Sequence, residues 1–194
     1  MTGMSEQLVN VIDVEATCWS GQPPAGQVSQ IIEIGLCVVD LAARERVANR
    51  GILVRPTRST VSAFCTELTS LTQVDVDSGM TFAEACTALV GEEDSANRVW
   101  LSWGDYDRKQ FHRDCQGSGV AYPFGRHINL KAAYTDAYDL PRRPGMAAAL
   151  HHAGLPLEGR HHRGVDDARN IAALLLHMLA DGHDPVATHV DSVS

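Results

Sequence analysis

The chain has 194 residues, 44% of them hydrophobic, which suffices for one globular domain with a sizeable core and excludes a disordered or fibrous protein. Its longest apolar runs, such as 171–176, fall far short of the roughly 20 residues of a membrane-spanning helix, and residues 1–7 lack the basic-then-apolar layout of a signal peptide, so a soluble, cytoplasmic protein without a membrane partner is expected. Sixteen Lys+Arg against 24 Asp+Glu leave a formal net charge of −8, which as a bulk figure argues against a polyanionic partner.

Residues 8–14 form an apolar, β-branched run that predicts a buried strand, followed by a turn-rich loop over 20–26 with Pro23 and Pro24. The runs 31–39 and 47–54 are closely spaced and β-branched, as expected of antiparallel neighbours. After Pro56 the periodicity turns helical over 63–71 and 82–90. A short apolar strand is predicted over 98–103, and a helix restarts at 107–115. Helices over 130–138, 145–152 and 165–179 complete the second half. From Asp181 onward the sequence is polar and aperiodic, which predicts a loose C-terminal tail over 181–194. No repeat or linker divides residues 1–180, so one domain is expected there. Three strands followed by helix–strand–helix alternation indicate an α/β fold with a mixed sheet.

The five cysteines include no C-x-x-C pair, so neither a disulfide framework nor a structural zinc site is signalled, and buried thiols in a reducing compartment are expected. Charge is unevenly placed. Residues 1–98 hold 6 basic and 13 acidic side chains, whereas 108–169 hold 10 and 6, so the second half carries a basic surface that the average conceals.

Three motifs can carry chemistry. In Asp13-Val14-Glu15, at the end of an apolar strand, residues i and i+2 face the same way, which sets two carboxylates side by side. Such a pair is relieved by a proton or by a hard divalent cation such as Mg²⁺ or Mn²⁺; a solvated strand end is the other reading. In Ser102-Trp103-Gly104-Asp105-Tyr106-Asp107 a strand runs through glycine into a helix. Asp107 shares the inward face of that helix with Phe111 and Cys115, while Asp105 precedes it as the better N-cap, a role also open to Asp107. In the third motif, His161-His162-Arg163-Gly164-Val165-Asp166-Asp167, the helical stripe through Ala168, Ile171, Ala172, Leu175 and Met178 puts Asp167 on its inner edge and Asp166 nearly opposite. Asp167 is therefore the candidate ligand. His162, a short loop before it, is the candidate general base, since an imidazole titrates near pH ~6.5. His151 and His152 fit a favourable place at a helix C-terminus.

In this order, Asp13, Glu15, Asp107, His162 and Asp167 resemble the DEDDh branch of the 3′–5′ exonuclease superfamily. Asp13-Val-Glu-Ala-Thr-Cys-Trp19, Ile31-Ile-Glu-Ile-Gly35, Leu68-Thr-Ser-Leu-Thr72, Ser102-Trp-Gly-Asp-Tyr-Asp107, Asn129-Leu-Lys131, Gly145-Met146 and His162-Arg-Gly-Val-Asp-Asp-Ala-Arg-Asn-Ile-Ala172 are similar to the motifs of its Eri-type subfamily, which includes histone-mRNA and small-RNA exonucleases and bacterial relatives named as sporulation-pathway inhibitors. The likeness spans roughly 7–180, and histidine five residues before the last aspartate separates it from the tyrosine-type branch. It implies a ribonuclease H-like three-layer fold, with a central mixed β-sheet flanked by helices. It also implies a two-metal hydrolase, with Asp13, Glu15, Asp107 and Asp167 holding two divalent ions, Mg²⁺ or Mn²⁺, and His162 activating water. The expected partner is the 3′ end of a single-stranded nucleic acid, RNA before DNA, shortened to nucleoside 5′-monophosphates. A DNA proofreading-type exonuclease and a non-hydrolysing RNA- or protein-binding module on the same fold are the alternatives.

By the same resemblance, Thr17 and Leu71 are expected at the terminal nucleotide. Trp19 is a candidate for base stacking, or equally for packing on the Pro23–Pro24 loop. Glu33 either binds or holds the first motif. Arg108, Lys109, Arg113, Arg126, Lys131, Arg142, Arg143 and Arg163 are candidate phosphate contacts. The added nucleic-acid-binding module of longer eukaryotic relatives is not expected in these 194 residues.

Overall fold

Alternation along the first strand decides where everything else packs. In the computed structural model, which describes residues 8–188, β1 (Leu8–Ala16) pairs antiparallel with β2 (Ile31–Asp40), and β2 pairs antiparallel with β3 (Glu45–Leu53). Val9 and Val11 point into a core shared with Leu175 and Met178, whereas Ile12 and Val14 point into another shared with Leu89 and Phe111. Asp13 and Glu15 continue the first of these faces.

After β3 come α1 (Ala63–Thr69), α2 (Gln73–Asp77) and α3 (Phe82–Glu93), then β4 (Trp100–Ser102), α4 (Tyr106–Ser118) and β5 (His127–Asn129). The chain continues through α5 (Leu130–Ala137), α6 (Met146–His152), α7 (Gly164–Ala180) and α8 (Pro185–Thr188). β4 pairs parallel with β1, and β5 pairs parallel with β4, giving a mixed sheet in the order β3-β2-β1-β4-β5. The cores on its two faces make three layers, with α5, α6 and α7 on one side and α3 and α4 on the other. This is the expected α/β architecture. Among the described residues no helix is long and apolar enough to cross a membrane.

The start of α7 lies backbone against backbone on the sheet. A Cβ on Gly35 would sit 1.8 Å from the Gly164 carbonyl oxygen, so only glycine permits the approach. Since Gly35 lies opposite Asp13 in the register, this contact brings the first turn of α7 over the Asp13–Glu15 pair.

Two expectations from sequence are corrected. The stretch from Asp181 is not a loose tail throughout: Asp184 accepts the Val186 and Ala187 N–H groups at 2.8 and 3.1 Å, starting α8. Val186 packs on the core, and Arg126 donates to its carbonyl at 3.1 Å. The remainder of that stretch, 189–194, lies outside the described residues, as does 1–7. Asp105 occupies the N-cap position of α4 without capping it; its carboxylate is held by Arg108 at 3.2 Å and Asn129 at 3.1 Å.

Candidate active site

The end of β1, the first turn of α4, the first turn of α7 and α1 enclose a cleft of about 300 Å³ containing Asp13, Glu15, Asp107, His161, His162 and Asp167. Each carboxylate is delivered by a separate local cause. Asp13 and Glu15 come from strand alternation. Asp107 stands in the first turn of α4, 4% exposed, and its Oδ1 accepts the Val14 N–H at 2.9 Å, locking it to β1. Asp167 lies on the inner side of α7, 4% exposed, while Asp166 turns away to accept the Arg160 N–H at 2.9 Å. Oxygens of Asp13, Glu15 and Asp167 all lie within 4.8 Å of one another.

Burial, with mutual repulsion added to it, shifts every one of these acids upward. Removal from water, followed by the charges of Asp107, Glu15, Asp167 and Glu33, holds the Asp13 carboxyl well above its ordinary range. Burial and then the Asp167 charge push Glu15 up to about 8. Burial raises Asp107 to about 6, against the lowering effect of its hydrogen bond from Val14. Asp167 is raised by burial and partly restored by His161. A set of all-oxygen donors that resists carrying its own charge suits hard divalent cations, which favour the ionised form of all four.

The loop before α7 is fastened from the sheet. Glu33, 1% exposed and opposite Glu15 in the register, accepts the Gly164 N–H at 2.8 Å and two bonds from the Arg163 guanidinium at 3.1 and 3.2 Å. It thereby holds the N-terminus of α7, where Arg163 provides no cap. Glu33 thus holds that later loop, and Arg163, one expected phosphate contact, is engaged here. His162 takes a left-handed backbone conformation, φ 64°, and its N–H donates to Asp167 Oδ2 at 2.9 Å. Its ring stacks on that of His161 with centroids 4.0 Å apart. His161 Nδ1 lies 3.0 Å from the same Oδ2. Burial, then the neighbouring His161, lowers the His162 pKa.

The expected substrate contacts fare differently. Thr17 is fully buried, with Oγ1 bonded to Ser59 at 2.8 Å and accepting the Gln30 N–H at 3.0 Å, so its side chain braces the loop after β1 and does not face the cleft. Leu71 is also turned inward. The chain reverses at Ser70, φ 64°, and sends Leu71 into a small core with Ile32, Cys65 and Val76; Leu68 lines the cleft in its place. Trp19 is half-buried, just beyond the wall formed by Cys18. Sequence reasoning left out Cys18, Leu68, Trp103, Tyr106, His161 and Met146 as cleft-lining side chains. Tyr106, 53% exposed, had a signal in its place directly before Asp107.

Residues 10–175 match the family model of the RNase_T exonucleases, described as Exonuclease. The chain belongs to this exonuclease family. It is 33% identical to the 3′-5′ exonuclease Snipper of Drosophila melanogaster over 197 residues, covering 90% of this chain and 70% of that protein. It is 33% identical to human 3′-5′ exoribonuclease 1 over 183 residues, covering 89% of this chain and 52% of that protein, so it spans about half the length of that relative. Among solved structures, the nuclease domain of 3′hExo, a DEDDh family member bound to rAMP, superposes with a TM-score of 0.85 at 30% identity, covering 94% of this chain and 96% of that one. The five-stranded sheet is thus that of a ribonuclease H-like exonuclease, and the relatives it matches are 3′–5′ exonucleases.

Proposed function

We propose that this chain removes nucleoside 5′-monophosphates from the 3′ end of single-stranded RNA, using two divalent ions, Mg²⁺ or Mn²⁺. The observation that carries the reading is the convergence of Asp13, Glu15 and Asp167 within 4.8 Å, with Asp107 locked to the same strand at 2.9 Å. Asp13, Glu15, Asp107 and Asp167 hold the cations, and their carboxylates cancel much of the cationic charge. When bound, such ions acidify a water molecule and neutralise charge on the leaving 3′-oxygen. The His162 imidazole, kept largely neutral at pH 7 by its lowered pKa, accepts the proton of the attacking water. Leu68 and Tyr106 give the cleft an apolar wall and an aromatic face for the terminal base. RNA is favoured because 3′hExo was solved with rAMP and a 3′-exonuclease with a histone mRNA stem-loop.

A 5′-labelled single-stranded RNA with a 3′-hydroxyl, incubated with Mg²⁺ or Mn²⁺, should be shortened stepwise, and chelator should stop the reaction. Matched DNA should be shortened more slowly. Equal rates on DNA would contradict the RNA assignment, and metal-independent shortening would contradict the mechanism.

A further inference from the structure

One carboxylate belongs to two possible ligand sets. Asp167 lies within 4.8 Å of oxygens from Asp13 and Glu15, and separately within 4.8 Å of ring nitrogens from His161 and His162. The second set is nitrogen-rich and faces the mouth of the cleft, where the His161 side chain is 39% exposed and Asp167 only 5%. We propose that His161, His162 and Asp167 form an inhibitory site for a borderline transition-metal ion, Zn²⁺ above all.

Zn²⁺ bonds imidazole nitrogen and carboxylate oxygen at about 2.0–2.2 Å in tetrahedral geometry, which sets neighbouring ligand atoms roughly 3.3 Å apart. His161 Nδ1 and Asp167 Oδ2 already stand at 3.0 Å. A ring nitrogen of His162 lies within 4.8 Å of both atoms. The rings stack at 20° with centroids 4.0 Å apart, so their in-plane lone pairs run nearly parallel, and a rotation of the His162 ring about its side-chain torsions turns its nitrogen to the same ion, leaving a fourth position for water. Hard Mg²⁺ prefers the all-oxygen set, whereas two imidazoles and a carboxylate suit Zn²⁺. Occupation removes the His162 lone pair and draws Asp167 from the oxygen set; this inhibitory consequence rests on the proposed exonuclease reading, whereas the site itself does not.

The test is a calorimetric titration of the full chain with ZnCl₂ in the absence of RNA, with excess Mg²⁺ present, so its outcome is independent of whether RNA is hydrolysed. The wild type should bind one Zn²⁺. His161→Ala and His161→Asn should each weaken binding by at least about tenfold, as expected for loss of one ligand in three, while thermal melts confirm the fold. Asp13→Asn with Glu15→Gln should bind Zn²⁺ at least as tightly as the wild type, since it frees Asp167 from the competing Mg²⁺ set. Cobalt(II) should give the visible absorption of a four-coordinate nitrogen-ligated ion in the wild type and lose it in both His161 variants. The proposal is overturned if the wild type binds no Zn²⁺, if both His161 variants bind it as tightly as the wild type, or if binding disappears in the Asp13/Glu15 variant.

Discussion

His161 reaches Asp167 through its ring, at 3.0 Å from Oδ2, whereas His162 touches the same oxygen only through its backbone N–H, at 2.9 Å. The ring nitrogens of His162 are therefore left for the cleft, while a ring nitrogen of its neighbour is committed to the carboxylate. Replacement of His162 by alanine should slow turnover by about 10²–10⁴-fold, the range of a lost general base. His161→Ala should cost much less. Single-turnover rates on a labelled RNA make the comparison, and the reverse order would assign the base to His161.

The carboxylate cluster makes the metal-free protein sensitive to alkali. Glu15 holds its proton up to about 8 in the folded state, against 4.5 as its ordinary value, so the folded state binds more protons than the unfolded one between these values. Stability is then greatest below the lower value and is lost as pH rises through the higher one. Asp13, Asp107 and Asp167 shift in the same direction. In chelator, Glu15→Gln should raise Tm at pH 8.5 by roughly 5–10 °C, since about 1 kcal/mol moves Tm by about 2–4 °C in a domain of this size. Excess Mg²⁺ should shrink the difference by stabilising the wild type. A Glu15→Gln protein that melts lower than wild type in chelator at pH 8.5 would mean that the glutamate is not strained.

His127 contributes the opposite slope. Its ring packs on Trp100, with centroids 4.3 Å apart, Nε2 lies 2.9 Å from Ser102 Oγ, and burial lowers its pKa to about 4. The unfolded chain takes up this proton near pH ~6.5, so stability from the buried neutral ring is present above that value and is lost as pH falls through about 4. The Tm of His127→Gln relative to wild type should rise steadily between pH 6.5 and 4. A constant difference would remove His127 as a source of acid sensitivity.

Gly35 tests how α7 is seated. A methyl group 1.8 Å from the Gly164 carbonyl exceeds what ordinary overpacking of about 1–3 kcal/mol describes. Gly35→Ala should lower stability by more than about 3 kcal/mol, read from urea unfolding, while Gly21→Ala, whose added Cβ meets nothing within 4 Å, should be close to neutral. Equal stability of the two variants would show that the approach of α7 to β2 is loose.

Most of this architecture was legible because it follows from periodicity. Alternation placed Asp13 and Glu15 on one face, and helical phase separated Asp167 from Asp166. What escaped was short or set by distant contacts. β5 has three residues, too few for alternation to register. α2 has five, although the capping box of Thr72 and Asp75 that starts it is written in the sequence. Sequence position does not reveal the burial of Thr17 and Leu71: Ser59 and Gln30 enclose one, and a left-handed turn at Ser70 sends the other into the core. The bulk charge of −8 misled for a related reason, since it counts four acids gathered in a cleft as though they lay on the surface.

The central claim is that Asp13, Glu15, Asp107 and Asp167 act together as the cation-holding set of a 3′–5′ exonuclease. The most direct measurement is hydrolysis of a single-stranded RNA by Asp13→Asn and Asp167→Asn in saturating Mn²⁺, alongside thermal melts. Both variants should remain folded and lose at least about 10³-fold in rate, an effect consistent with loss of a metal-held transition state. A folded variant of either kind that shortens RNA at the wild-type rate would contradict the account.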